Sequence, residues 1–154
     1  MEAFPDFVDL LREFNAAGVR YLVVGAHALA VHGRARATKD LDVWIDPEVE
    51  NAKRAYAALG RFGAPLETLR LQDLSDPDTF FQIGVAPLRI DVLTAIDGVT
   101  FDEAWPERVE SEYGGEPITV LGEEAFLRNK DAAGRPQDRA DADWLRRARG
   151  KRSR

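Results

Sequence analysis

The hydrophobic positions near the start of the chain recur with the period of an α-helix. They fall on one side of a repeat of about 3.6 residues, and Pro5 and Gly18 suit the first turn and the end of such a helix. A short apolar run, 21–24, then leads to Gly25, and an alanine-rich stretch, 26–32, follows. This order predicts an amphipathic helix, a strand, a tight turn and a short helix.

Strict alternation marks the segment from Asp40 to Asp46. Leu41, Val43 and Ile45 occupy one face of an extended chain, whereas the acidic residues and Trp44 occupy the other. The pattern predicts a strand with one buried face and one polar face.

The rest of the chain is divided by proline, glycine and turn residues. We predict a helix from Asp46-Pro47 to Gly63, a short helix at 66–74, strands at 79–85 and 88–95 joined at Ala86-Pro87, a strand at 117–121, and final helices at 123–133 and 136–148. The segment 101–113 fits neither pattern. The prediction is one mixed α/β domain, residues 1–148, with helices flanking a small sheet, and a basic tail, 149–154, expected to be disordered.

Composition narrows the class of protein. The 154 residues suit a single domain, and 45% hydrophobic with 31% charged residues suits a chain that buries a core. No run approaches the roughly 20 apolar residues of a membrane helix, and the start of the chain is acidic, so we expect a cytoplasmic protein without a membrane partner. The chain has no cysteine, so we expect any metal to bind mainly to oxygen.

Charge is distributed unevenly along the chain. The net charge is −6, but residues 146–154 contain six basic side chains and no acidic one, which leaves 15 basic and 27 acidic residues elsewhere. A basic run of this kind is usually a solvated segment. The alternative is that these basic side chains contact RNA or phosphate.

Three aspartates could meet on one face of the sheet. Asp40 and Asp42 share the polar face of their strand, and Asp91 lies on the polar face of the segment 88–95. If the two strands are neighbours, three carboxylates converge, and Mg²⁺ or Mn²⁺ is the kind of ion that compensates their charge. The alternative is a solvated face with no ligand.

The preceding loop offers groups for an anion. Gly25 and Ala26 end a strand and begin a helix, a position where backbone N–H groups can bind phosphate. Basic and hydroxyl side chains, including Arg36 and Thr38, lie between this turn and Asp40. A phosphate ligand that carries a metal would suit both features.

These motifs together resemble the nucleotidyltransferase superfamily related to DNA polymerase β. The resemblance rests on Leu-Val-Val-Gly-Ala at 22–26, Arg-Ala-Thr-Lys-Asp-Leu-Asp at 36–42 and Asn-Lys-Asp-Ala-Ala-Gly-Arg-Pro-Gln-Asp-Arg-Ala-Asp at 129–141. It covers roughly residues 20 to 146. The arrangement Arg-x-Thr-x-Asp-x-Asp is most similar to the AbiEii-like branch, which includes toxins of toxin–antitoxin systems.

The resemblance implies a role for each matching residue. Asp40 and Asp42 would be metal ligands, and Asp91 would be a third ligand and general base. Nucleotide or phosphate binding would fall to Gly25, Ala26, Arg36, Thr38 and Lys130, with support from Arg135, Asp138 and Asp141. The family more often has Gly or Ser where this chain has Ala26, so a hydroxyl that could touch phosphate is missing.

The implied activity is transfer of an NMP from an NTP to an acceptor hydroxyl, with release of pyrophosphate. A tRNA or a protein is the favoured acceptor, with a cognate toxin or antitoxin as a partner, and a small molecule such as an antibiotic is an alternative. The competing hypothesis is a nucleotidyltransferase-fold module that binds nucleotide, RNA or protein without turnover.

Overall fold

A computed structural model describes residues 3–34, 38–84 and 87–153. Its helices are α1 (Pro5–Ala16), α2 (Gly25–Val31), α3 (Val49–Phe62), α4 (Phe101–Ala104), α5 (Glu123–Ala133) and α6 (Pro136–Arg152). Its strands are β1 (Tyr21–Val24), β2 (Asp40–Ile45), β3 (Phe80–Ile83), β4 (Arg89–Leu93), β5 (Val109–Tyr113) and β6 (Glu116–Val120). The mixed α/β class predicted from the sequence is confirmed.

The six described strands form one sheet in the order β3-β4-β2-β1-β6-β5. β2 is antiparallel to β1 and parallel to β4, while β1 is also parallel to β6. At one edge of the sheet β3 is antiparallel to β4, and at the other edge β5 is antiparallel to β6. The predicted neighbourhood of β2 and β4 is therefore confirmed, and it places their polar faces next to each other.

The core forms where α1 and α3 cover the apolar side of the central strands. The predicted stripe of α1 is buried, as are the alternating positions of β2. Asn51 of α3 has no exposed surface, and its side-chain amide donates to the carbonyls of Arg20 and Asp46 and accepts from the Arg20 N–H. This side chain joins α3 to the start of β1 and the end of β2.

Several boundaries differ from the prediction. α3 begins at Val49 because Glu48, not Asp46, accepts the free N–H groups of its first turn, those of Glu50 and Asn51. The predicted helix at 66–74 is a 3₁₀ helix at Leu71–Ser75.

Further along the chain, the segment 101–113 divides into α4, a 3₁₀ turn and the edge strand β5. The strands β3 and β4 pair antiparallel, as predicted for a hairpin, and residues 85 and 86 between them lie outside the described residues.

The last helix continues to Arg152, four residues further than predicted. Arg149 and Arg152 pair with Glu123 at the start of α5, and Arg149 also pairs with Glu124. Arg146 pairs with Asp131. The helix thus reaches into the predicted tail, and acids of α5 offset the charges of Arg146, Arg149 and Arg152. None of the described helices is long and apolar enough to cross a bilayer.

Candidate active site

Asp42 and Asp91 lie side by side at the centre of the polar face. Their Cα atoms are register partners across β2 and β4, so both side chains project from the same face of the sheet. Asp91 is buried, with 8% of its surface exposed, and its Oδ1 accepts a 3.1 Å hydrogen bond from Nε2 of Gln82 on β3. The strand pairing thus brings together two acids that are 49 residues apart in sequence.

The two carboxylates carry more negative charge than their surroundings compensate. Burial raises the pKa of Asp42 to about 7, and the hydrogen bond and charge of Asp91 and the charge of Asp40 add to the effect, while Lys130 opposes it. A cation between the acids would remove this penalty, and carboxylate and amide oxygens are the donors that Mg²⁺ and Mn²⁺ prefer. The residues present therefore fit such an ion.

Asp40, two residues before Asp42 in β2, is paired with Arg89. Its two carboxylate oxygens accept from Nε and Nη2 of Arg89, both at 3.2 Å. Within the described ranges, no three His, Cys, Asp or Glu side chains are arranged to hold a metal ion. In this structure Asp42 and Asp91 are register partners and Asp40 is engaged by Arg89, and the assignment of the three acids as metal ligands stays a prediction.

Gly25 is required at its position for two physical reasons. Its φ is +69°, a conformation that side chains disfavour. A Cβ at this residue would also overlap Oδ2 of Asp42 and lie 3.3 Å from its Cγ. The turn after β1 therefore packs directly on the Asp42 carboxylate, which places the backbone of Gly25 and Ala26 at the edge of the acidic pair.

The C-terminal helices contribute a charged network. Lys130 of α5 donates to Asp138 at 3.2 Å and lies 3.8 Å from Asp141, and only 12% of the Lys130 side chain is exposed. Burial acts to raise the pKa of Asp138, but the hydrogen bonds from Arg135 and Lys130 outweigh it and leave that pKa below its usual range. Lys130 also lowers the proton affinity of Asp42, so the network is electrostatically coupled to the acidic pair.

The remaining predicted residues have other positions. The Thr38 hydroxyl bonds to the backbone of Asp40, so in this structure it supports the start of β2. Arg135 pairs with Asp138 and lies in the field of Asp97. Arg36 lies outside the described residues.

Two neighbours of the acids were not predicted as site residues. Arg89 shares a face with Asp91 in the sequence alternation, which was a usable signal, but its pairing with Asp40 depends on the register of β2 and β4. The contact of Gln82 with Asp91 could not be predicted without the register of β3 and β4, in which the two residues are partners.

No protein-family model matches the chain, and no curated protein matches it either. Several solved structures are similar to the chain. The lincosamide antibiotic adenylyltransferase LnuA, bound to lincomycin, has 15% identity and a TM-score of 0.61, with 95% of this chain and 98% of that chain covered. ANT(2″)-Ia in complex with adenylyl-2″-tobramycin has 16% identity and a TM-score of 0.58, over 90% of this chain and 84% of the other.

A candidate nucleotidyltransferase from Thermotoga maritima is also similar, with 16% identity, a TM-score of 0.56, and 97% and 96% of the two chains covered. The chain thus has the nucleotidyltransferase fold. The resemblance to the superfamily agrees with these structures, and the AbiEii-like branch stays a prediction.

Proposed function

We propose that this chain is a metal-dependent nucleotidyltransferase, which moves an NMP from an NTP to an acceptor hydroxyl. The observation that supports this most strongly is the pairing of Asp42 with Asp91 in register, against the Gly25 turn, with the pKa of Asp42 raised to about 7. A site that holds excess negative charge next to a glycine turn suits a nucleotide that carries a divalent cation.

Asp42 and Asp91 would hold the cation, with Asp40 as a third ligand once it leaves Arg89. When bound, Mg²⁺ or Mn²⁺ would neutralise charge on the triphosphate and lower the pKa of the acceptor hydroxyl.

The chemistry requires one bond to form and one to break. The acceptor oxygen attacks the α-phosphorus, the bond from that phosphorus to the pyrophosphate oxygen breaks, and the hydroxyl proton passes to a base, which we assign to Asp91. The backbone of Gly25 and Ala26 would contact phosphate, and Lys130 would offset its charge.

We propose a small-molecule hydroxyl as the acceptor, ahead of the tRNA or protein hydroxyl that the AbiEii-like resemblance implies. Two observations support this order. The chain covers 98% of LnuA, which is named for a lincosamide acceptor, so a domain of this size suits an acceptor of that kind. Three arginines of the basic segment are also paired with acids of α5, which weakens the case for an RNA surface there.

The test is transfer of label from each of four α-³²P NTPs, with Mg²⁺, to total RNA, lysate protein or a panel of hydroxylated antibiotics. The control is the double variant Asp40→Ala/Asp42→Ala. Label in one acceptor class, lost in the double variant, would support the enzyme and identify its acceptor. Equal labelling by the two proteins would contradict the assigned site.

The second candidate is a module that binds nucleotide without turnover. Ala26 and the Asp40–Arg89 ion pair favour it, because one lacks a hydroxyl and the other occupies a proposed ligand. Mg²⁺-dependent binding of NTP with no pyrophosphate release in any acceptor mixture would support this module.

A further inference from the structure

Arg89 lies on the same face of the sheet as the acidic pair. It precedes Asp91 by two residues in β4, so the two side chains project in the same direction, and its Cα is the register partner of Asp40. The guanidinium therefore lies among three aspartates at the site proposed to bind nucleotide.

The contact between Arg89 and Asp40 uses every oxygen of that carboxylate. Nε donates to Oδ1 and Nη2 donates to Oδ2, each at 3.2 Å, in a bidentate arrangement. The guanidinium therefore competes with any cation for the negative charge and the lone pairs of Asp40.

The ion pair is also accessible to solvent. The exposed fractions of the two side chains are 37% for Arg89 and 42% for Asp40, so water or an incoming ion can reach both groups. The hydrogen bond and charge of Asp40 raise the pKa of Arg89, and Asp91 and Asp42 contribute in the same direction. Arg89 thus supplies positive charge to all three acids.

A guanidinium suits phosphate as well as carboxylate. Its planar set of donors matches both groups in a bidentate manner. If a cation took Asp40, the guanidinium would lose its partner beside a triphosphate, the one strongly anionic group that the proposed reaction brings to this face.

We propose that Arg89 is a nucleotide-positioning residue that exchanges Asp40 for a phosphate oxygen of the NTP when Asp40 turns towards a divalent cation. This inference rests on the proposed function. It gives Arg89 two opposite effects: without nucleotide it competes with the cation for Asp40, and with nucleotide it strengthens binding.

The test measures both effects in the purified protein. Binding of Mn²⁺ alone is followed by the EPR signal of the free ion, and binding of the α,β-methylene analogue of ATP with Mn²⁺ is followed by equilibrium dialysis. The variants are Arg89→Ala and Arg89→Lys, and the matched control is Arg70→Ala, which removes an exposed arginine paired with Asp73.

The Arg89→Ala variant should bind Mn²⁺ about two- to fivefold more tightly than the wild type, as expected for loss of an exposed ion pair. It should bind the nucleotide analogue about tenfold more weakly, because a charge-assisted hydrogen bond is lost. Arg89→Lys should recover part of the nucleotide affinity, and Arg70→Ala should change neither.

Effects of the same sign on both ligands, or no effect on either, would overturn the exchange and leave Arg89 a structural residue. Tighter Mn²⁺ binding with unchanged nucleotide binding would overturn its role towards phosphate. A wild-type protein that binds neither ligand would overturn the proposed function as well, and this outcome is distinct from the other two.

Discussion

Replacement of Gly25 by alanine separates the cost of a strained backbone from the cost of moving a site carboxylate. The added Cβ meets two obstacles, the φ of +69° and the Oδ2 of Asp42. Gly18 is a matched control because its φ is +70° and an added Cβ there meets nothing within 4 Å.

The expected magnitudes follow from these two terms. A left-handed conformation costs an alanine about 1–2 kcal/mol, and the lower entropy of the unfolded chain offsets about 0.4–1 kcal/mol of it. Gly18→Ala should therefore destabilise the protein by about 1 kcal/mol. Gly25→Ala should cost about 2–4 kcal/mol in total, because overpacking against Asp42 adds about 1–3 kcal/mol.

The assay is urea unfolding of the two single variants, of Asp42→Ala, and of the double variant Gly25→Ala/Asp42→Ala. Truncation of Asp42 removes the overlapping atoms, so the cost of the alanine at position 25 in that background should fall to the cost measured at Gly18. Equal losses for Gly18→Ala and Gly25→Ala, with additive effects in the double variant, would refute the reasoning.

Other variants test the remaining parts of the account. Because the pKa of Asp42 is raised to about 7, above its unfolded value of 3.8, the metal-free protein should lose stability as pH rises through this interval. Asp42→Asn should remove that loss, as unfolding curves measured near the two ends of the interval would show, and it should abolish Mn²⁺ binding in an EPR titration. Lys130→Met should destabilise the protein by about 3 kcal/mol, since it takes a partner from the buried carboxylate of Asp138, whereas Lys130→Arg should keep most of the stability in a thermal melt. Asn51→Leu should cost about 3 kcal/mol or more in urea unfolding without altering Mn²⁺ affinity, because the Arg20 N–H and the Asp46 carbonyl lose their side-chain partner. Arg152→Ala should cost under about 1 kcal/mol by the same measurement, since its ion pair is exposed.

The sequence predicted the elements whose burial is periodic. α1 and β2 have clear apolar stripes, and both stripes are buried in the structure. Gly134, in the left-handed conformation, separates α5 from α6 as expected. The candidate acids were also found this way, because alternation places acidic residues on the face opposite the core.

What the sequence did not predict depends on contacts between distant segments. The polar strand β5 shows little apolar alternation and is held by its pairing with β6. The last helix continues to Arg152, where Arg149 and Arg152 pair with Glu123 of α5, and composition alone does not reveal this pairing. The engagement of Asp40 by Arg89 requires the register of two strands that α3, a 3₁₀ helix and β3 separate in sequence.

The most direct test of the central claim asks which phosphorus the acceptor receives. Parallel reactions with α-³²P and γ-³²P NTP, Mg²⁺ and the acceptor mixtures are compared between the wild type and Asp42→Asn. Nucleotidyl transfer predicts α label on the acceptor and γ label in pyrophosphate, both lost in the variant. Label from the γ position on the acceptor, or equal release of both labels by the two proteins, would contradict the account.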